Sequence, residues 1–101
     1  MTVEFIDHPT DTIAEEGELV TLNCNVTGVP KPRIAWKKDG ELLTNDIKHV
    51  VTNYEASRND YAASRLQIRQ LSKEDIAEYT CISWNRGSVR EWRSTLLLTG
   101  K

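Results

Sequence analysis

Asp75-Ile76-Ala77-Glu78-Tyr79-Thr80-Cys81 is the stretch that decides the fold. A tyrosine two residues before a cysteine suits a hydroxyl tied back to a neighbouring loop. The only other cysteine is Cys24, and Trp36 lies between the two. Two lone cysteines so far apart suggest one long-range crosslink rather than a metal site, because paired zinc ligands are closely spaced. Trp36 offers a large ring to pack on such a crosslink.

Outward from this stretch, apolar residues alternate with polar ones in short runs separated by turn signals, the pattern of an antiparallel sandwich. Val3-Glu4-Phe5-Ile6 reads as an edge strand broken at His8-Pro9, since proline lacks a ladder N–H; Ile13 resumes it. Val20, Leu22, Cys24 and Val26 alternate against Thr21, Asn23, Asn25 and Thr27. Ile34 and Trp36 point inward, whereas Arg33, Ala35 and Lys37 point outward. Asp39-Gly40 is a tight-turn dipeptide before the short strand Glu41-Leu42-Leu43. His49 to Tyr54 is strand-like, and Glu55 to Ser64 reads as an exposed polar loop. Leu66 and Ile68 face inward again. Leu71 to Ala77 reads as a short helical turn with Ser72 as its cap. Tyr79, Cys81 and Ser83 share the inner face of the next strand. Asn85 to Ser88 closes a hairpin onto a last strand over 89–98, with Leu96 and Leu98 inward.

The segment 75–81 matches the Asp-x-Ala-x-Tyr-x-Cys motif of immunoglobulin domains. Gly28-Val29-Pro30-Lys31-Pro32, Trp36-Lys37-Lys38-Asp39-Gly40 and the Asn85/Gly87 hairpin are similar to the intermediate, or I-set, subclass. The resemblance spans nearly the whole chain. It implies an all-β immunoglobulin-like sandwich of two antiparallel sheets, one domain over 1–101, with a Cys24–Cys81 disulfide between the sheets. Trp36 and Leu66 would pack in the core, and Tyr79 would form a tyrosine corner. Asp75 would pair with a base near the start of the fourth or fifth strand, for which Lys48 is the candidate. The Asn85-Arg86-Gly87 turn is one residue tighter than the usual pattern, which leaves its register open.

The 101 residues carry a net charge of -2, 39% hydrophobic and 28% charged residues, a globular composition with no strong field toward nucleic acid. No apolar run approaches the roughly 18 residues of a membrane span, so direct insertion is not expected. Met1-Thr2-Val3-Glu4 does not read as a signal peptide, and the chain reads as one module of a longer protein. Residues 1–30 hold six acids and no Lys or Arg. No catalytic constellation, phosphate loop or cofactor motif is present, so neither enzyme nor cofactor is expected. His8 and His49 read as surface histidines.

Asn25-Val26-Thr27 is an N-glycosylation sequon on an outward position. With a disulfide it favours an oxidising, extracellular setting; I-set domains also occur inside the cell, in sarcomeric and cytoskeletal proteins. The outward side chains of the last two strands are the functional clue. Ile82 and Trp84, with Val89 and Arg93 across the hairpin and Arg33 and Lys37 alongside, would form an apolar patch rimmed by cations. Such composition is typical of protein-binding hot spots. The expected function is a protein-interaction module of a receptor or adhesion protein, binding a partner or its own kind. The alternative is a spacer or docking module in a giant cytoskeletal protein. Lys31, Arg86 and Arg90 add a weaker expectation of a sulfated glycan. Trp92 has inward parity and reads as core.

Overall fold

The computed structural model describes residues 2–54 and 58–99, so Glu55, Ala56 and Ser57 of the expected loop lie outside the described residues. Among the described residues nine strands form two sheets. The first has the order β1 (Glu4–Asp7), β3 (Val20–Thr27), β7 (Tyr61–Ile68), β6 (His49–Tyr54). The second has the order β2 (Thr12–Ala14), β9 (Ser88–Leu98), β8 (Ala77–Asn85), β4 (Arg33–Lys38), β5 (Glu41–Leu42). All pairings are antiparallel except β2 with β9. The first strand breaks where Pro9 removes a donor, so β1 joins one sheet and β2 the other.

The alternation in β3 and β7 is the core itself: Val20, Leu22, Cys24, Val26, Leu66 and Ile68 are buried. Cys24 on β3 is bonded to Cys81 on β8 (S–S 2.02 Å), linking the sheets. Trp36 is fully buried directly opposite Cys81 on the neighbouring strand, and its Nε1–H donates to Ser64 Oγ at 2.9 Å. A buried indole N–H needs such a partner. Ser64 is therefore a buried strand residue. The expected loop to Ser64 is corrected: β7 begins at Tyr61, paired with β3 on one side and β6 on the other. Alanine and serine are weak strand formers, but ladder bonds on both edges outweigh propensity.

Asp39 (φ 48°) and Gly40 (φ 85°) both lie in the left-handed region, the requirement of a two-residue primed turn joining β4 to β5. The other hairpin is equally short, since Asn85 pairs with Ser88 and only Arg86 and Gly87 form its loop. Asn85 Oδ1 accepts the Gly87 N–H at 3.0 Å, which suits the tightened sequence.

The helical turn is a 3₁₀ turn over Lys73–Asp75. Its buried Asp75 carboxylate accepts the Ser72 backbone N–H at 2.8 Å and pairs with Lys48 Nζ at 2.8 Å. The Ser72 hydroxyl itself donates to Glu74 Oε1 at 2.6 Å. Asp75 also offers its backbone carbonyl to the Tyr79 hydroxyl, which donates to it at 2.7 Å.

Burial pushes the Tyr79 phenol above its ordinary value of 10.0, and the negative charges of Asp75 and Asp39 add to this. The folded phenol stays protonated where the unfolded one ionises, so the native state binds more protons above pH 10. Stability from this group is complete below about pH 10 and is lost as pH rises further, at up to about 1.4 kcal/mol per pH unit. Urea midpoints between neutral and strongly alkaline pH should decline less steeply in Tyr79→Phe than in the wild type. The same variant should lose about 1 kcal/mol at pH 7 with its hydrogen bond. Identical alkaline slopes would remove Tyr79 as the cause.

Candidate protein-binding face

Once Cys81 is fixed inward, register places the rest of β8. Arg33, Trp84 and Val89 pair across β4, β8 and β9 as one row. Ala35, Ile82 and Glu91 form the next, then Lys37, Thr80 and Arg93. These nine positions share the outer face of the five-stranded sheet, because directly opposed residues point the same way. The structure thus brings together every residue expected on this face.

Its texture differs from composition alone. Val89 is 65% exposed, but Ile82 and Trp84 are half-buried. Thr80 is only 5% exposed, flanked at its own level by Lys37 and Arg93, whose long stems can cover apolar surface. Trp84 also lines a cleft at the end of the sheet, with Ile34 and Ala62. Glu91 is the member whose effect was missed. Its carboxylate lies 3.5 Å from Lys37 Nζ and 3.8 Å from Arg93 Nη2, so the two cations share one acid. The pairing of Glu91 with Lys37, two strands away, follows from register, which composition does not contain, whereas Arg93 is its same-face neighbour along β9. Arg90 is opposite Ser83, on inner parity, and its Nη1–H donates to the Val3 carbonyl at 3.3 Å. The cations named for a sulfated glycan therefore do not form one uncompensated field.

Two expectations are corrected. Trp92 does pair with Cys81 and so has inner parity, yet it is 39% exposed. β2 covers β9 only at Leu96–Leu98, so at Trp92 the strand is an open edge. The ring spills over that edge, where Phe5 meets it edge-on at 5.6 Å and His8 stacks on it at 3.7 Å. His8 is therefore a packing group and not a free surface histidine. His49 is only 8% exposed; its backbone N–H donates to Asp46 Oδ1 at 2.6 Å and its Nδ1 lies 3.1 Å from the same oxygen. The backbone hydrogen bond from His49, with help from that of Lys48, holds the Asp46 carboxyl below the usual range.

Leu96 is buried and Leu98 half-buried. Asn25 is half-buried on the outer face of the four-stranded sheet, between Asp7 and Ala63. Among the described residues no group of three or more His, Cys, Asp or Glu could hold a metal ion. Among the same residues no helix is long and apolar enough to cross a membrane.

Residues 3–98 match the family model described as the immunoglobulin I-set domain. Bovine (Bos taurus) neural cell adhesion molecule 1 is 35% identical over 92 residues, covering 89% of this chain and 10% of that protein. Rat (Rattus norvegicus) palladin is 29% identical over 97 residues, covering 96% of this chain and 15% of palladin. The crystal structure of the titin M3 domain superposes with a TM-score of 0.80 at 26% identity, covering 97% of both chains. The chain thus spans about a tenth of the adhesion molecule's length and little more of palladin's. A family match across nearly the whole chain, on a sandwich with the bonded cysteine pair, buried tryptophan and tyrosine corner, establishes that the chain belongs to the immunoglobulin I-set family.

Proposed function

We propose that this chain is a protein-interaction module of a cell-surface receptor or adhesion protein, and that it binds its partner through the outer face of β4, β8 and β9. The observation that carries this reading is the register-fixed juxtaposition of Trp84, Ile82 and Val89 with Arg33, Lys37 and Arg93. Aromatic and arginine side chains dominate measured hot spots, and a half-buried indole is already ordered before binding. The bonded cysteines, the Asn25 sequon and the likeness to a cell adhesion molecule support an extracellular setting. Surface complementarity, not bond chemistry, is the mechanism.

The likeness to palladin over 96% of the chain favours a second reading, an intracellular docking or spacer module of a cytoskeletal protein. Redox state separates the two. Cells that make the parent protein should yield it with Asn25 glycosylated and Cys24–Cys81 oxidised under the first reading, and with free thiols and a bare Asn25 under the second.

The face is tested by probing an array of recombinant cell-surface ectodomains with the wild-type chain and with Trp84→Ala. A truncated hot-spot tryptophan costs about 2 kcal/mol or more, a roughly 30-fold loss of affinity. The expected result is that loss toward whichever ectodomain the wild type binds, with the unfolding midpoint little changed. Unchanged affinity with a lowered midpoint would mean that Trp84 only covers its own sheet. An array on which nothing binds the wild type would move the conclusion to the second reading.

A further inference from the structure

Beside Trp92, β9 presents a row of backbone groups with no strand against it. Asp11 Oδ1 accepts the Thr95 N–H at 2.8 Å and the Ala14 carbonyl accepts the Thr99 N–H at 2.8 Å, so the odd-numbered residues of β9 turn their N–H and carbonyl groups away from β8. By the same alternation Val89, Glu91 and Arg93 do so too. β2 reaches only Leu96–Leu98, and among the described residues no side chain takes the N–H of Val89, Glu91 or Arg93. The edge at β6 is closed differently, with the His49 N–H donating to Asp46 Oδ1 at 2.6 Å and the Val51 N–H to Asn45 Oδ1 at 2.5 Å. An open strand edge is a template for another strand.

The side chains of β9 select the strand that fits. A second copy laid antiparallel by a two-fold axis sets the central residue opposite itself, and directly opposed like charges are destabilising. Centred on residue 90, 91 or 93, the pairing would oppose two Arg90, two Glu91 or two Arg93 side chains. Centred on residue 92 it opposes two Trp92 rings, and Glu91 of each copy then meets Arg93 of the other. A centre at 94 or beyond is shut out by Asp11, which already holds the edge at Thr95. A centre at 89 or before runs into the Arg86-Gly87 turn. One register therefore matches every charge, and it places at the joint the tryptophan that the open edge leaves 39% exposed.

We propose that β9 pairs antiparallel with β9 of a second copy over residues 90–94, Trp92 opposite Trp92, so that two five-stranded sheets become one continuous sheet. Each Glu91–Arg93 pair exchanges two backbone hydrogen bonds, and their side chains meet as opposite charges across the strands. The two indoles lie together beneath the joint. The contact is isologous, so it closes as a dimer and does not extend. It uses the edge of the sheet and stands independently of the reading of the outer face.

Sedimentation equilibrium of the purified chain tests it. The weight-average mass should rise with concentration to that of a dimer and no further. Glu91→Arg alone and Arg93→Glu alone each oppose like charges at both pairs, and each should weaken association roughly tenfold. An equimolar mixture of the two should regain it, because every pair in the mixed dimer joins an arginine to a glutamate. The exchanged variant Glu91→Arg/Arg93→Glu should regain it on its own. Both side chains are exposed, so these variants should keep the wild-type melting temperature. Register has a separate readout. Residues opposed in a non-hydrogen-bonded pair have Cα atoms about 4.5 Å apart, within the reach of a disulfide. Trp92→Cys should therefore form a covalent dimer on mild oxidation and Val89→Cys should not. The charge series decides alone if loss of the Trp92 ring unfolds that variant. A wild type that stays monomeric overturns the inference, as does a mixture no more associated than its components. Cross-linking at 89 and not at 92 also overturns it, the result expected if copies met through the outer face.

Discussion

Replacing Cys24 and Cys81 together by alanine should lower the stability of this domain by about 4 kcal/mol. The bond joins residues 57 apart, so without it the unfolded chain regains the freedom of a long loop. Both positions are fully buried, so the alanines also leave a small void between the sheets. Small domains hold only about 5–15 kcal/mol in all, so the variant should be marginal at physiological temperature. Equilibrium urea unfolding of the oxidised wild type and the double alanine variant measures this directly. Reduced wild type should fall between them, since it loses the loop constraint but keeps the sulfur volume. A difference below about 1 kcal/mol would mean that the unfolded chain is already compact enough to gain little freedom.

Trp36→Ala is the second large expected effect, a loss of about 3–5 kcal/mol. The ring is fully buried opposite Cys81, and its removal empties the centre of the core. It also strands the buried Ser64 hydroxyl, which has the indole N–H as donor at 2.9 Å. Trp36→Phe separates the two contributions. Phenylalanine retains most of the apolar volume but not the donor, so about 1–2 kcal/mol of that loss should come from the unpaired hydroxyl and the smaller ring. Denaturant midpoints of the two variants give the split. Equal losses would show that the hydrogen bond, not the volume, carries the effect. Ser64→Ala in the Trp36→Phe background should then recover stability, because both partners of the bond are gone.

Legibility was greatest where a single strand carried its own signal. The alternation in β3, the Asp39-Gly40 turn and the bounds of β6 were readable because side-chain parity and turn chemistry are local. The Lys48–Asp75 pair came from the family resemblance, not from spacing. Tyr61 to Ser64 read as loop because Ala62, Ala63 and Ser64 have little strand propensity. Their conformation comes from two neighbouring strands and from the Trp36 donor, none of them adjacent in sequence. Among the outer-face residues, parity was readable and exposure was not: Thr80 and Val89 share one face yet differ greatly in accessibility.

The sequence by itself determined the class of fold, the inner and outer parity of most strands and the cluster of residues on the outer sheet face. Periodicity and turn residues act within a few positions, and the cysteine, tryptophan and tyrosine set narrows the ways the strands can stack. Only the tertiary structure decided how far each of those side chains meets solvent. Trp92 has the parity of the core but sits where β9 lacks a neighbour, so it packs on Phe5 and His8 at an open edge. Glu91 reaches Lys37, two strands away, because register sets their rows side by side. Exposure and ion pairing depend on which strands end where, and that is a property of the assembled sheets.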